Sequence, residues 1–142
     1  MRKKTLLFII LIMTILIVVV YISHVNKKNH YIEVQKSRLE LYFKYNLKKY
    51  NSMKITKVQK TPMGDYLIKG YINKDKDYDF IAYCSYEHNF QFNGIISYTQ
   101  ATLGKLFKED EPKDKWKPDE IIKKEHLDKS KYEANPPLFI WF

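Results

Sequence analysis

"RLELYFKYNLKKYNSMKITKVQKTPMGDYLIKGYIN", residues 38–73, is where the spacing of apolar side chains changes from helical to alternating. On its N-terminal side, Ile32, Leu39, Tyr42, Phe43, Leu47 and Tyr50 recur at steps of three, four and seven. That spacing makes one stripe of an amphipathic helix from about residue 31 to about residue 50, with Lys36, Lys44, Lys48 and Lys49 off the stripe. From residue 53 the period becomes two. "MKITKVQK" (53–60) predicts a strand, and "TPMGD" (61–65) a turn in which Pro62 presets φ and Gly64 accepts positive φ. "YLIKGYIN" (66–73) puts Tyr66, Ile68, Gly70 and Ile72 on one face and Leu67, Lys69 and Tyr71 on the other.

Two further runs extend the pattern. "YDFIAYCSY" (78–86) aligns Tyr78, Phe80, Ala82, Cys84 and Tyr86, and "FQFNGIISY" (90–98) aligns Phe90, Phe92, Gly94, Ile96 and Tyr98. Short turns at "NKDKD" (73–77) and Glu87–Asn89 make the four runs an antiparallel meander, its apolar face covered by the preceding helix. The opposite face carries Leu67, Tyr71, Ile81, Tyr83 and Ile95, half apolar and in need of a cover or a partner. After a helical turn or two at "TQATLGKLFK" and a charged loop, "PDEIIKKEHLDK" (118–129) predicts a helix. Pro118 suits its first turn, Asp119 and Glu120 its positive end, and Lys129 its negative end. "NPPLFIWF" (135–142) is then extended, because consecutive prolines exclude helix. Its five apolar residues, Leu138, Phe139, Ile140, Trp141 and Phe142, cover only ~17 Å and are too short for a membrane span. They are expected to clasp the sheet, with docking to a partner as the competing role.

The chain opens differently. Leu6 to Ile22 is seventeen residues without a charge, preceded by Arg2, Lys3 and Lys4. As a helix it measures ~25 Å, a little short of a ~30 Å hydrocarbon core, and flanking lysines can cover the difference. A cleaved secretory signal shares the basic start and apolar middle. Its exit here, Val20-Tyr21-Ile22-Ser23-His24-Val25, lacks the run of small residues that cleavage prefers, which favours an uncleaved anchor. The balance of Lys and Arg across the span is near even; the short N-terminus is placed inside, because its basic residues abut the span and large following domains translocate largely regardless of charge. Residues 1–28 are therefore read as basic N-terminus and anchor, and residues 29–142 as one extracytoplasmic domain.

Charge fits that layout. Of the net +9, residues 1–28 hold five basic side chains and no acid, residues 29–60 eight against two, and residues 61–142 twelve against fourteen. A basic excess confined to the juxtamembrane part argues for anionic lipid and against a nucleic-acid face. Lys27, Lys28 and Lys36 are the candidate contacts to lipid head groups.

No constellation for catalysis stands out. Cys84 alternates with Ala82 and Tyr86 and reads as a small core residue, and a Cys84–His88 pair lacks an orienting third group. Asp75, Asp77 and Asp79 have the alternate spacing of a calcium loop, but Phe80 and Tyr86 stand where its Gly and Glu belong. No cofactor or metal site is expected, and the twelve tyrosines are accounted for by an aromatic strand lattice. The alternative is a small enzyme or ligand-binding domain using Tyr83 or His126 with acids on the second sheet face; another is a secreted protein after signal cleavage.

The succession from Arg38 to Asn73, the run "FQFNGIISY" and the ending "YEANPPLFIWF" resemble a family of small, membrane-anchored or lipoprotein-like Gram-positive proteins catalogued as domain of unknown function 1433. The resemblance covers residues 30–142 and carries over no catalytic residue. It implies compartment and organisation, with the missing lipoprotein cysteine favouring the anchor. The anchor, the basic juxtamembrane helix and the lack of a catalytic constellation point to a membrane-tethered binding or accessory module at the cell envelope, with lipid as one partner and an envelope protein as the candidate second. The expected fold is α+β: a transmembrane helix, an amphipathic helix on a four-stranded antiparallel meander, a C-terminal helix, and the apolar end packed on the sheet. The sequence leaves the oligomeric state open.

Overall fold

The structure, a computed structural model, describes residues 2–137. The clasp residues Leu138, Phe139, Ile140, Trp141 and Phe142 lie outside the described residues. One helix, α1 (Arg2–Asn46), runs through both the apolar stretch and the amphipathic stripe. Nothing interrupts it because no Gly or Pro occurs before Pro62. No break in the backbone falls near residue 28, where the anchor is expected to give way to the domain; Leu6 to Ile22 are exposed throughout, whereas Tyr31, Leu39, Tyr42 and Phe43 are fully buried.

α1 stops at Asn46, earlier than its periodicity predicts. Leu47 leaves the helix to bridge Phe107, with Lys48 N–H donating to Leu106 O and Lys108 N–H to Asn46 O, both at 2.8 Å. Tyr50 still reaches the stripe, stacking on Phe43 with ring centres 6.1 Å apart, but it does so from the returning chain.

The sheet is an antiparallel meander in the order β1 (Met53–Lys60), β2 (Tyr66–Ile72), β3 (Asp79–Cys84), β4 (Ile96–Tyr98). Strict alternation on β2 and β3 buries Tyr66, Ile68, Gly70, Ile72, Phe80, Ala82 and Cys84 against α1, as the period of two requires. A bulge between Ile55 and Lys57 breaks the alternation of the edge strand β1. The β1–β2 turn closes through Thr61 N–H to Asp65 O at 2.8 Å, with Gly64 at φ 98°. In the β2–β3 connection, residues 73–78, Asn73 and Lys74 take left-handed φ of 55° and 61° at the centre of a turn closed by Asp75 N–H to Ile72 O at 3.1 Å.

Two expectations need correction. The fourth strand does not begin at Phe90: Asn89 and Phe90 adopt φ of 51° and 59°, and the chain crosses the end of the sheet before pairing from Ile96. Phe92 is buried by this crossing, packed edge-on against Tyr42 at 5.4 Å, and not by a strand. The C-terminal helix α2 (Pro118–Lys124) ends short of Lys129, because the chain turns through His126 at φ 52°. α2 and the turn at Lys129–Tyr132 pack on α1. The helix thus lies between the sheet and the C-terminal segment, and the outer face with Leu67, Tyr71, Ile81 and Tyr83 stays half-buried.

Candidate functional site

Sandwiching α1 between two layers buries polar side chains that lie on its stripe. Gln35, Arg38 and Asn46 continue the spacing of Tyr31, Leu39, Tyr42 and Phe43, and each is buried. The Arg38 guanidinium donates through Nε to Phe92 O at 2.6 Å, through Nη1 to Tyr132 O at 3.0 Å and through Nη2 to Asp119 Oδ1 at 2.6 Å. Gln35 Nε2 donates to Gln91 Oε1 at 2.7 Å, while Gln35 Oε1 accepts from Phe92 N–H at 2.8 Å. Gln91 Nε2 in turn donates to Ala134 O at 2.8 Å. Asn46 holds Trp116 by donating to its carbonyl at 2.8 Å and accepting from its N–H at 2.7 Å. Each of these groups spends its hydrogen-bonding capacity on backbone or on another member, so the network fixes irregular chain around α1. Their signal in the sequence was polar residues at apolar-stripe positions.

Beside this network lies a polar cleft of about 420 Å³ lined by Glu87, His88, Gln91, Asp119, Lys129 and Glu133. Two of its walls, Gln91 and Asp119, are the network residues already engaged. Cys84 does not join His88 here. Its thiol is fully buried, contacts Gln35 Oε1 at 4.0 Å, and is pushed up to about 12 by burial. That is the state of an inert core thiol and not of a nucleophile. Asp75 serves its own turn by accepting from Asp77 N–H at 3.0 Å. Among the described residues no three His, Cys, Asp or Glu side chains converge as a metal set. Tyr83 hydrogen-bonds with Ser97 on the outer face at 3.4 Å, whereas His126 lines a separate cleft with Asp119, Lys123 and Lys129.

The surface feature that gathers predicted residues is a groove of about 500 Å³ between α1 and the edge strand β1. Ile32, Ile55 and Val58 form its apolar floor, and Lys28, Lys36, Lys54 and Lys57 its basic rim, with Glu33 the acid beside Lys36 at 3.9 Å. Lys28 and Lys36 come together here because they are eight residues apart on one helix face. Lys27 is exposed and is not part of the groove. Lys54 and Lys57 were missed in the sequence because the β1 bulge shifts Lys57 out of simple alternation. Along α1, Lys27 and Lys28 stand about 8 and 9 Å beyond Ile22, and Lys36 about 21 Å.

Residues 31–124 match the family described as "Protein of unknown function (DUF1433)". The match opens at Tyr31, the first buried residue of α1, and closes at Lys124, the last residue of α2. Among curated proteins none matches the chain. Among solved structures, the chain is similar to the folded 79-residue fragment of Lin0334 from Listeria innocua, determined by solution NMR. The two are 29% identical with a TM-score of 0.52, over 69% of this chain and 98% of that one.

Proposed function

The chain belongs to the DUF1433 family, and on that footing we propose that it is a single-pass, membrane-anchored binding or accessory module, its α+β domain held on the extracytoplasmic face of the envelope. The observation that carries this reading is the continuity of α1. One helix is long and apolar enough to cross a membrane over its first half, with that half unburied, and forms the centre of the core over its second. A free soluble chain would leave the sixteen apolar side chains between Leu6 and Ile22 in water. In this reading Lys27 and Lys28 meet anionic head groups close to the end of the span, within reach of their side chains, and Lys36 serves the groove above.

The groove along β1 supports a protein partner of definite chemistry. Its apolar floor, lysine rim and adjoining edge strand, unpaired on its outer side among the described residues, suit an extended, acidic segment added alongside β1. Leu138, Phe139, Ile140, Trp141 and Phe142 are assigned as an apolar clasp of the domain. Support comes from Pro137, which is buried and whose carbonyl accepts from Tyr66 Oη at 3.4 Å, so the chain approaches them along the core.

A photo-crosslinking residue at Thr56, exposed on β1, tests the reading in cells expressing the full chain. The expected result is an alkali-resistant membrane fraction whose domain is digested by protease added to intact cells, carrying a crosslink to an envelope protein. Recovery of the chain in the soluble fraction, with a processed N-terminus by mass spectrometry, would overturn the anchor.

A further inference from the structure

Among the described residues outside the apolar half of α1, the two most exposed large apolar side chains are Met63, 93% exposed, and Tyr86, 76% exposed. They share one end of the sheet. Met63 tips the β1–β2 turn, Tyr86 follows the end of β3, and Tyr86 N–H donates to Asp65 Oδ1 in that turn at 3.1 Å.

This end faces back along α1 toward its apolar half. Tyr66, at the start of β2, meets Tyr31 with ring centres 5.5 Å apart. Further along, Phe80, paired with Gly70, meets Phe43 at 5.0 Å. β2 therefore runs in the same sense as α1, and the turn before it reaches from the level of Tyr31 toward Ile22. Tyr31 stands ~14 Å beyond Ile22 along the helix. Met63 and Gly64 lie in the turn that Thr61 and Asp65 close, so the three residues from Tyr66 back to Met63 recover less than the ~10 Å they would span if extended. The tip thus lies on the order of 4–8 Å beyond the level of Ile22. A head-group layer is roughly 5–8 Å deep on each side of the hydrocarbon core.

We propose that the β1–β2 tip and Tyr86 form a second contact with the membrane, seating Met63 in the head-group layer of an anionic bilayer. The inference rests on reading residues 6–22 as a span. Its chemistry is suited to the interface: a tyrosine ring with a polar end, an unbranched thioether, and Lys27, Lys28 and Lys60 nearby to meet lipid phosphate. Asp65 is engaged with the Tyr86 N–H, and Glu87 is the remaining acid of this end. Two contacts, span and tip, hold the domain at a fixed tilt and the β1 groove at a fixed height.

The test places an environment-sensitive fluorophore on the full chain in phosphatidylcholine–phosphatidylglycerol vesicles. The sites are Met63→Cys, Lys74→Cys at the opposite end of the sheet, and Ile15→Cys in the span; buried Cys84 leaves labelling to the introduced thiol. Blue-shifted emission at Met63 with quenching by head-group-attached nitroxide, and neither at Lys74, is the expected result. Met63 behaving like Lys74 while Ile15 is quenched by acyl-chain nitroxide would overturn the tip contact and leave the anchor standing. Ile15 behaving like Lys74 would overturn both.

Discussion

Arg38 Nη2 lies 2.6 Å from Asp119 Oδ1, and the pair ties the middle of α1 to the first turn of α2 across the C-terminal layer. The guanidinium end is 1% exposed and the carboxylate end 50%, so the two partners are unequal in consequence. Arg38→Met removes the donors on Phe92 O and Tyr132 O as well as the ion pair, stranding acceptors in a buried site. A loss of about 3 kcal/mol or more is expected in denaturant unfolding of the detergent-solubilised chain. Asp119→Asn keeps an acceptor facing Arg38 and is expected to cost less than half as much. Equal effects of the two variants would mean that the carbonyl contacts contribute little.

Gly70 gives a sharper prediction, because a Cβ there would sit 2.4 Å from Lys54 O and 2.9 Å from the Phe80 ring. Both neighbours are held, one by strand pairing and the other by Phe43. Gly70→Ala is expected to destabilise by about 2 kcal/mol or more, with the amides of β1 losing hydrogen-exchange protection first.

Those two residues also mark what sequence could and could not show. The inward faces of β2 and β3 were legible because one buried face imposes alternation. Phe90, Phe92 and Gly94 alternate as well, yet their burial comes from a crossing chain, and spacing alone cannot separate the two causes. Arg38 was legible as a charge near the span; its position on the apolar stripe hinted at burial, but the third layer from residues 118–135 that covers it has no local pattern. The groove was half legible: Lys28 and Lys36 belong to one helix face, while Lys54 and Lys57 reach it through strand pairing and a bulge.

Cys84 sets a limit on alkaline stability. Its thiol is raised by burial to about 12 against an ordinary value of 9.0, so the folded state favours the protonated form. That preference is fully present below pH 9 and is lost as pH rises from 9 towards 12, at roughly 1.4 kcal/mol per pH unit. Burial raises Tyr31 and Tyr42 in the same direction. Unfolding midpoints are therefore expected to fall above pH 9, and Cys84→Ala to flatten the start of that fall. In the folded chain at neutral pH a maleimide should leave Cys84 unmodified, and rapid labelling would show the thiol open to solvent.

Removing residues 138–142 tests the clasp. Tyr66 packs on Tyr31 and Phe90, and its hydroxyl donates to Pro137 O, so Pro137 lies beside the core. Five bulky apolar groups covering that region would contribute at least about 3 kcal/mol by burial. Thermal unfolding of the truncated chain is expected several degrees lower. An unchanged midpoint would return these side chains to a partner-binding role.

The two halves of α1 make separable contributions. Leu6 to Ile22 are exposed from end to end, whereas Tyr31 to Phe43 supply the centre of the core. Deleting residues 1–27 removes the exposed apolar run from Leu6 to Ile22 and retains the whole stripe from Tyr31. The shortened chain is expected to be soluble, to keep the hydrogen-exchange protection of β2 and β3, and to lose membrane association. Fraying of α1 at its new end should stop short of Tyr31, because the Tyr31 hydroxyl is held by Phe90 O at 2.6 Å. Loss of protection at Ile68 and Ala82 in that chain would show that the apolar half supports the core after all.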